Sequence, residues 1–167
     1  MAIKAIVFDW GDTIMRDFPF EGAMKDWPFV SVIPDIEKVL QELINDYIIV
    51  LASNAGDSSS EDIIEALKRE GLAQYFHHVF SSKDLGFEKP HLEFFKRIEK
   101  VLKLEESELM MIGNHPIKDI QGAKQAGWIS IWFNENEQQE IASVFADATF
   151  YHMTTLLEII ENLTENE

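Results

Sequence analysis

Apolar residues in this chain come in short, nearly continuous runs, separated by longer stretches in which every third or fourth position is apolar. Ile3, Ala5, Ile6, Val7 and Phe8 make the first run, and residues 47–52, 77–80, 109–112, 128–133 and 148–151 make the others. The most continuous of them, in residues 3–8, 48–52 and 109–112, predict strands covered on both faces, as in a parallel sheet, and the others predict further strands. Between them the spacing turns helical. Ile36, Val39, Leu40, Leu43 and Ile44 share one stripe behind Pro34-Asp35. Ile63, Ile64 and Leu67 follow Ser58, whose spacing to Glu61 predicts a capping box, and Gly71 ends that helix. Leu92, Phe94, Phe95, Ile98, Val101 and Leu102 predict a helix beginning at Lys89-Pro90, with proline in the first turn, where its missing N–H is harmless. Ile117, Ile120, Ala123 and Ala126 predict another that Gly127 stops, and residues 153–163 a closing one. This alternation predicts one doubly wound, Rossmann-like α/β/α domain over residues 1–167, with a parallel sheet and right-handed crossovers. Residues 14–32 have no clean period and predict a short flap.

The candidate chemistry lies where the runs stop. The first ends in Asp9-Trp10-Gly11-Asp12-Thr13, which places an acid at the carboxyl end of a strand, where open parallel sheets bind ligands. A carboxylate there can be a nucleophile, a metal ligand or both, although Gly-Asp is also ordinary turn chemistry. The second run ends in Ser53-Asn54, and Gly86-Phe87-Glu88-Lys89-Pro90 brings a lysine to a helix start. Run 109–112 leads into Gly113-Asn114-His115-Pro116-Ile117-Lys118-Asp119. Taken singly, Ser53 reads as a turn serine, Lys89 as a solvated lysine and Asp119 as a helix-start acid. Taken in order from Ile3 to Phe133, the acid, hydroxyl, lysine and Gly-Asn with a following acid resemble the haloacid dehalogenase superfamily. Its members are mostly magnesium-dependent phosphatases.

The resemblance implies that Asp9 attacks phosphorus and forms an aspartyl-phosphate. Ser53 would donate to the phosphoryl group, Asn54 and its loop would add donors, and Lys89 would pair with nucleophile and phosphoryl oxygens alike. Mg²⁺ would be held by Asp9, the carbonyl of Gly11 and Asn114, with Asp119 supporting its water shell. Two positions depart from the family's pattern. Its phosphatases usually carry an aspartate two residues after the nucleophile as general acid and base; Gly11 stands there, with Asp12 one place later as the candidate replacement. P-type ATPases, in the same superfamily, also lack that acid and form a slowly hydrolysed aspartyl-phosphate. Asn114 stands where the family most often has an aspartate, and its amide oxygen suits a hard cation but brings no charge.

Two readings therefore stand: a slow phosphatase, or a catalytically impaired phosphate-binding or protein-interaction module. A two-component receiver domain fits poorly, because its acceptor acid follows the third strand. A dehalogenase would need a cap to bury the carbon–halogen bond, and residues 14–32 are too short for one. The resemblance thus implies an open site, suited to a macromolecular substrate or to a homo-oligomer whose neighbour covers it. Phe18, Phe20, Trp27 and Phe29 in the flap either pack on their own domain or mark such an interface. Of the histidines, His115 is the one whose loop faces the site, whereas the adjacent His77 and His78 must point to opposite sides of a strand.

Composition narrows the partners. A formal net charge of -16 opposes nucleic acid and anionic membrane surfaces. A phosphorylated small molecule or macromolecule is an anion too, so a divalent cation and Lys89 would have to reverse the sign locally. With no cysteine there is no disulfide framework and no thiolate metal site. The sequence has no basic leader followed by an apolar stretch and no run of about eighteen apolar residues, which predicts a cytoplasmic protein.

Overall fold

A computed structural model describes residues 2–138 and 145–165. In chain order the main elements are β1 (Ala5–Phe8), α1 (Ile36–Leu43), β2 (Ile48–Ser53), α2 (Ser60–Lys68), β3 (His78–Ser81), α3 (Ser82–Leu85), α4 (Leu92–Leu102), β4 (Leu109–Gly113), α5 (Gly122–Gln125), β5 (Ile129–Phe133), β6 (Ala148–Phe150) and α6 (Leu156–Thr164). The strands form one parallel sheet in the order β3-β2-β1-β4-β5-β6. From β1 the chain winds outward through β2 and β3, then returns to β1's other edge as β4. Winding reverses between β1 and β4, and this opens a crevice at their carboxyl ends.

Side-chain alternation explains the nearly continuous runs. Ile6 and Phe8 of β1, Ile49 and Leu51 of β2, and Met110 and Ile112 of β4 share one core with α1, α2 and α6. Ala5, Val7, Val50, Ala52 and Met111 pack with α4 and α5 on the opposite face. Because both faces are covered, a polar residue in the sheet needs a partner inside the protein, as Ser130 of β5 has in Phe145 O, to which its Oγ donates at 2.9 Å.

Three helix starts differ from their sequence expectation. The capping box of α2 is Ser59 with Asp62, one residue beyond Ser58 and Glu61; Ser59 Oγ accepts from Asp62 N–H at 3.2 Å and Asp62 Oδ2 from Ser59 N–H at 3.0 Å. Ser58 is instead drawn into the interior, its N–H donating to Ala55 O. The helix expected from Lys89-Pro90 starts only at Leu92, capped by the His91 ring, so Pro90 lies in the preceding loop. The helix marked by Ile117 to Ala126 opens as a wide π turn, Pro116–Gln121, before tightening into α5.

The flap is closed at its base by bonds from Arg16 N–H to Ser31 O and from Ile33 N–H to Ile14 O. Its aromatic rings pack on one another: Phe18 on Phe29 at 5.0 Å, Phe20 on Phe29 at 5.1 Å, and Phe20 on Trp27 at 5.6 Å between centroids. Arg69, the residue after α2, clamps it, donating to the carbonyls of Met24 and Trp27. The cluster therefore packs on its own domain, and of its four rings Phe29 is left mainly exposed. No helix among the described residues is long and apolar enough to cross a membrane.

Candidate active site

β1 delivers Asp9 to the mouth of the crevice, where its N–H still donates to Ile112 O of β4 at 2.9 Å. The chain then folds back sharply, because Trp10 O accepts the N–H groups of Thr13, Ile14 and Met15. Asp12 takes the left-handed conformation (φ 58°) in this turn, a region that aspartate tolerates better than most residues. Its carboxylate is thereby turned toward the flap, where Oδ1 accepts from Asp17 N–H at 3.1 Å.

Lys89 is buried under Asp9. Its ammonium donates to Asp9 Oδ1 at 2.7 Å, Asp119 Oδ1 at 2.7 Å and Ala52 O at 2.9 Å, so each of its three protons is engaged. Asn54 fixes the lysine's backbone from both sides, accepting from Lys89 N–H and donating to Lys89 O. The Asn54 amide thus places the lysine. Asp119 is equally committed: Oδ1 accepts from Lys89 and Oδ2 from His115 N–H at 3.0 Å. Gly113 makes room for that carboxylate, since a Cβ there would stand 2.5 Å from the Cβ and Cγ of Asp119.

Burial works first to lower the Lys89 ammonium, but the charges and hydrogen bonds of Asp119 and Asp9 together hold it above the ordinary lysine value. For Asp9, burial and then the Asp119 charge outweigh Lys89 and push the carboxyl up to about 6. Burial, then the Lys118 charge, lowers His115. Its Nδ1 accepts from the N–H groups of Ile117 and Lys118, which makes it a cap for the π turn as well as a wall of the site.

Ser53 ends β2 with its Oγ accepting from Ala55 N–H at 3.0 Å, which leaves the hydroxyl proton to donate into the crevice. The inward atom of the Asn114 amide lies 2.8 Å from Asp9 Oδ2, 3.2 Å from Gly11 O and 3.3 Å from Thr13 Oγ1. With nitrogen in that place, Asn114 donates to Asp9 and Gly11. With oxygen there, three oxygens converge with edges close to those of an octahedral shell, about 3 Å for bonds of about 2.1 Å. These residues fit a small divalent cation through one carboxylate, one carbonyl and one amide. Among the described residues no cluster of three His, Cys, Asp or Glu side chains could hold a metal.

These groups open on a cavity of about 370 Å³, whose far wall is Phe20, Met24 and Trp27 of the flap. The sequence-predicted Asp9, Gly11, Asp12, Ser53, Asn54, Lys89, Asn114, His115 and Asp119 all line it, though Asp119 does so from beneath Lys89. Asp17 and Asp57 also reach it and were not singled out from sequence. Burial, followed by the charges of Asp12, Asp9 and Asp57, holds the Asp17 carboxyl above its ordinary value. Asp17 lies in the aperiodic flap, where spacing carries no information, and the only signal toward it was the missing side chain at Gly11.

Comparison with known proteins gives a family and a fold. The family described as haloacid dehalogenase-like hydrolase matches residues 12–133. A glyceraldehyde 3-phosphate phosphatase from Methanocaldococcus jannaschii is 32% identical over 103 residues, 61% of this chain and 45% of that protein. A pyrimidine 5'-nucleotidase from Streptococcus pneumoniae is 29% identical over 96 residues, 57% of this chain and 40% of that protein. The chain spans less than half the length of these relatives. A solved structure of an uncharacterized protein from Listeria monocytogenes serotype 4b superposes with a TM-score of 0.83 at 22% identity, covering 96% of this chain and 99% of that one. A HAD phosphatase from Thermococcus onnurineus gives 0.76 at 20% identity, covering 95% and 98%. At these identities the superpositions establish the shared fold and no more.

Proposed function

Because the chain belongs to the haloacid dehalogenase-like hydrolases, we propose that it hydrolyses phosphate monoesters through an aspartyl-phosphate on Asp9, with Mg²⁺ as cofactor. The observation that carries this reading is the Lys89 ammonium, buried beside Asp9 and held there by Asp119. A fixed cation at that point offsets the repulsion between a carboxylate nucleophile and an incoming phosphoryl group. Ser53, with its free hydroxyl proton, would bind one phosphoryl oxygen, and the main chain of the loop after it would bind others. The cavity, about 370 Å³, suits a small ester, consistent with the phosphorylated metabolites named for the relatives.

Asp9, the Gly11 carbonyl and Asn114 would hold the metal, with Asp119 acting one layer back through Lys89. A divalent cation bound there supplies charge neutralisation for the transferring phosphoryl group. Asn114 contributes no charge, so Asn114→Asp should tighten Mg²⁺ binding about tenfold or more, equivalent to about 1.4 kcal/mol. Titration calorimetry checks this, and heat from neither form would remove the metal from the mechanism.

The alternative reading, an impaired phosphate-binding or interaction module, is favoured by one observation: with its nitrogen inward, Asn114 donates to both Asp9 and Gly11 and closes the cradle without a cation. A panel of small phosphate monoesters, assayed with Mg²⁺ and with EDTA, separates the two. Turnover that Mg²⁺ stimulates supports the enzyme; phosphate binding without turnover supports the module.

A further inference from the structure

We infer that Asp17, on the flap, is the proton-handling carboxylate of this site and stands in the space that a side chain at position 11 would fill. The inference rests on the phosphatase reading. Gly11 is not among the glycines with positive φ, so the backbone does not demand glycine there. What a side chain would meet is Asp17: a Cβ on Gly11 would lie 3.2 Å from Asp17 Cβ and 3.4 Å from its Cγ and Oδ2. The glycine thus leaves room beside the nucleophile for a carboxylate supplied from another part of the chain.

Several of the other cavity groups are already engaged. Both Asp119 oxygens accept hydrogen bonds, and all three Lys89 protons are donated. His115 Nδ1 caps the π turn, and Asp12 holds the backbone of Asp17 in place. The Asp17 carboxylate makes no hydrogen bond among the described residues and faces the same cavity as Asp9 and Ser53. Asp57 lines the cavity too, but it belongs to the loop after β2 and has no comparable contact with the space over Gly11.

Ester hydrolysis needs a proton delivered once and recovered once. As an Asp9 oxygen bonds to phosphorus, the bond from phosphorus to the ester oxygen breaks, and the departing oxygen takes the Asp17 proton to become an alcohol. The Asp17 carboxylate then takes a proton from water, whose oxygen attacks phosphorus. That step releases inorganic phosphate, frees Asp9 and leaves Asp17 protonated as it began.

Four proteins test this against two esters: wild type, Asp17→Asn, Asp17→Gly and the double variant Gly11→Asp/Asp17→Gly. One ester is an alkyl phosphate, whose leaving group needs a proton; the other is p-nitrophenyl phosphate, whose leaving group does not. Asp17→Asn should lower kcat for the alkyl ester about 100- to 10,000-fold. With p-nitrophenyl phosphate it should instead give a burst of p-nitrophenolate, followed by slow release of phosphate from Asp9. The double variant should recover much of what Asp17→Gly loses. Asp17→Asn matching wild type, equal losses on both esters without a burst, or a double variant no better than Asp17→Gly would each overturn the inference alone. A wild type that hydrolyses neither ester would overturn the phosphatase reading and this inference with it.

Discussion

Asp9→Asn should erase turnover, by about 10⁴-fold or more, while making the protein more resistant to unfolding at neutral pH. The first effect follows from losing the proposed nucleophile, since an amide cannot form an aspartyl-phosphate. The second follows from the raised Asp9 carboxyl. An acid whose pKa rises on folding binds its proton more tightly in the folded state. Its contribution therefore favours folding at low pH and is lost as pH rises from the unfolded value, 3.8, through about 6. Above that window the wild type carries the whole penalty, about 3 kcal/mol for a shift of about two units. Asparagine imitates the protonated acid and escapes it. Thermal unfolding in EDTA should show the variant's advantage growing between pH 4 and pH 7. A variant less stable than wild type at pH 7.5 would mean that the lost partner of Lys89 outweighs the relieved charge.

Lys89→Met should have the opposite signature, losing activity and stability together. It leaves Asp9 and Asp119 buried without their shared cation, and breaking a buried pair in this way costs about 3–5 kcal/mol. Adding Asp119→Asn should restore much of the stability, because one of the two orphaned charges is gone, but none of the activity. Urea denaturation of the single and double variants reads this directly. Near-wild-type stability of Lys89→Met alone would show that the carboxylates neutralise themselves by taking up protons.

What was legible in the sequence follows the same physics. The strands were readable because a sheet covered on both faces is mostly apolar along each strand, and the candidate site was readable because three strand ends and the loop before α4 carry polar groups in a fixed order. Boundaries were weaker where two residues compete for one role, as Ser58 and Ser59 do for the cap of α2. Pairings across the chain left no local trace. Nothing near Asn54 says that its amide clasps Lys89, and nothing near Asp119 says that it faces the lysine. The flap was opaque for a different reason: it is held by ring packing and by Arg69, neither of which has a period. Asp17 was hidden there.

The proposed nucleophile and its proposed proton partner are thus mounted on parts of the protein with very different tenacity. β1 is bonded to strands on both sides and buried on both faces, so its amides should exchange with solvent only when the whole domain opens. The flap that carries Asp17 is held from outside the sheet, by ring packing, Arg69 and two hydrogen bonds at its base, so it should open locally at lower cost, with the sheet intact. Such breathing would carry away the group that hands over protons and leave Asp9 and Lys89 in place. Conditions that loosen the protein without unfolding it would then change the kind of chemistry as well as its rate: a hydrolase would become a protein that accepts a phosphoryl group and keeps it.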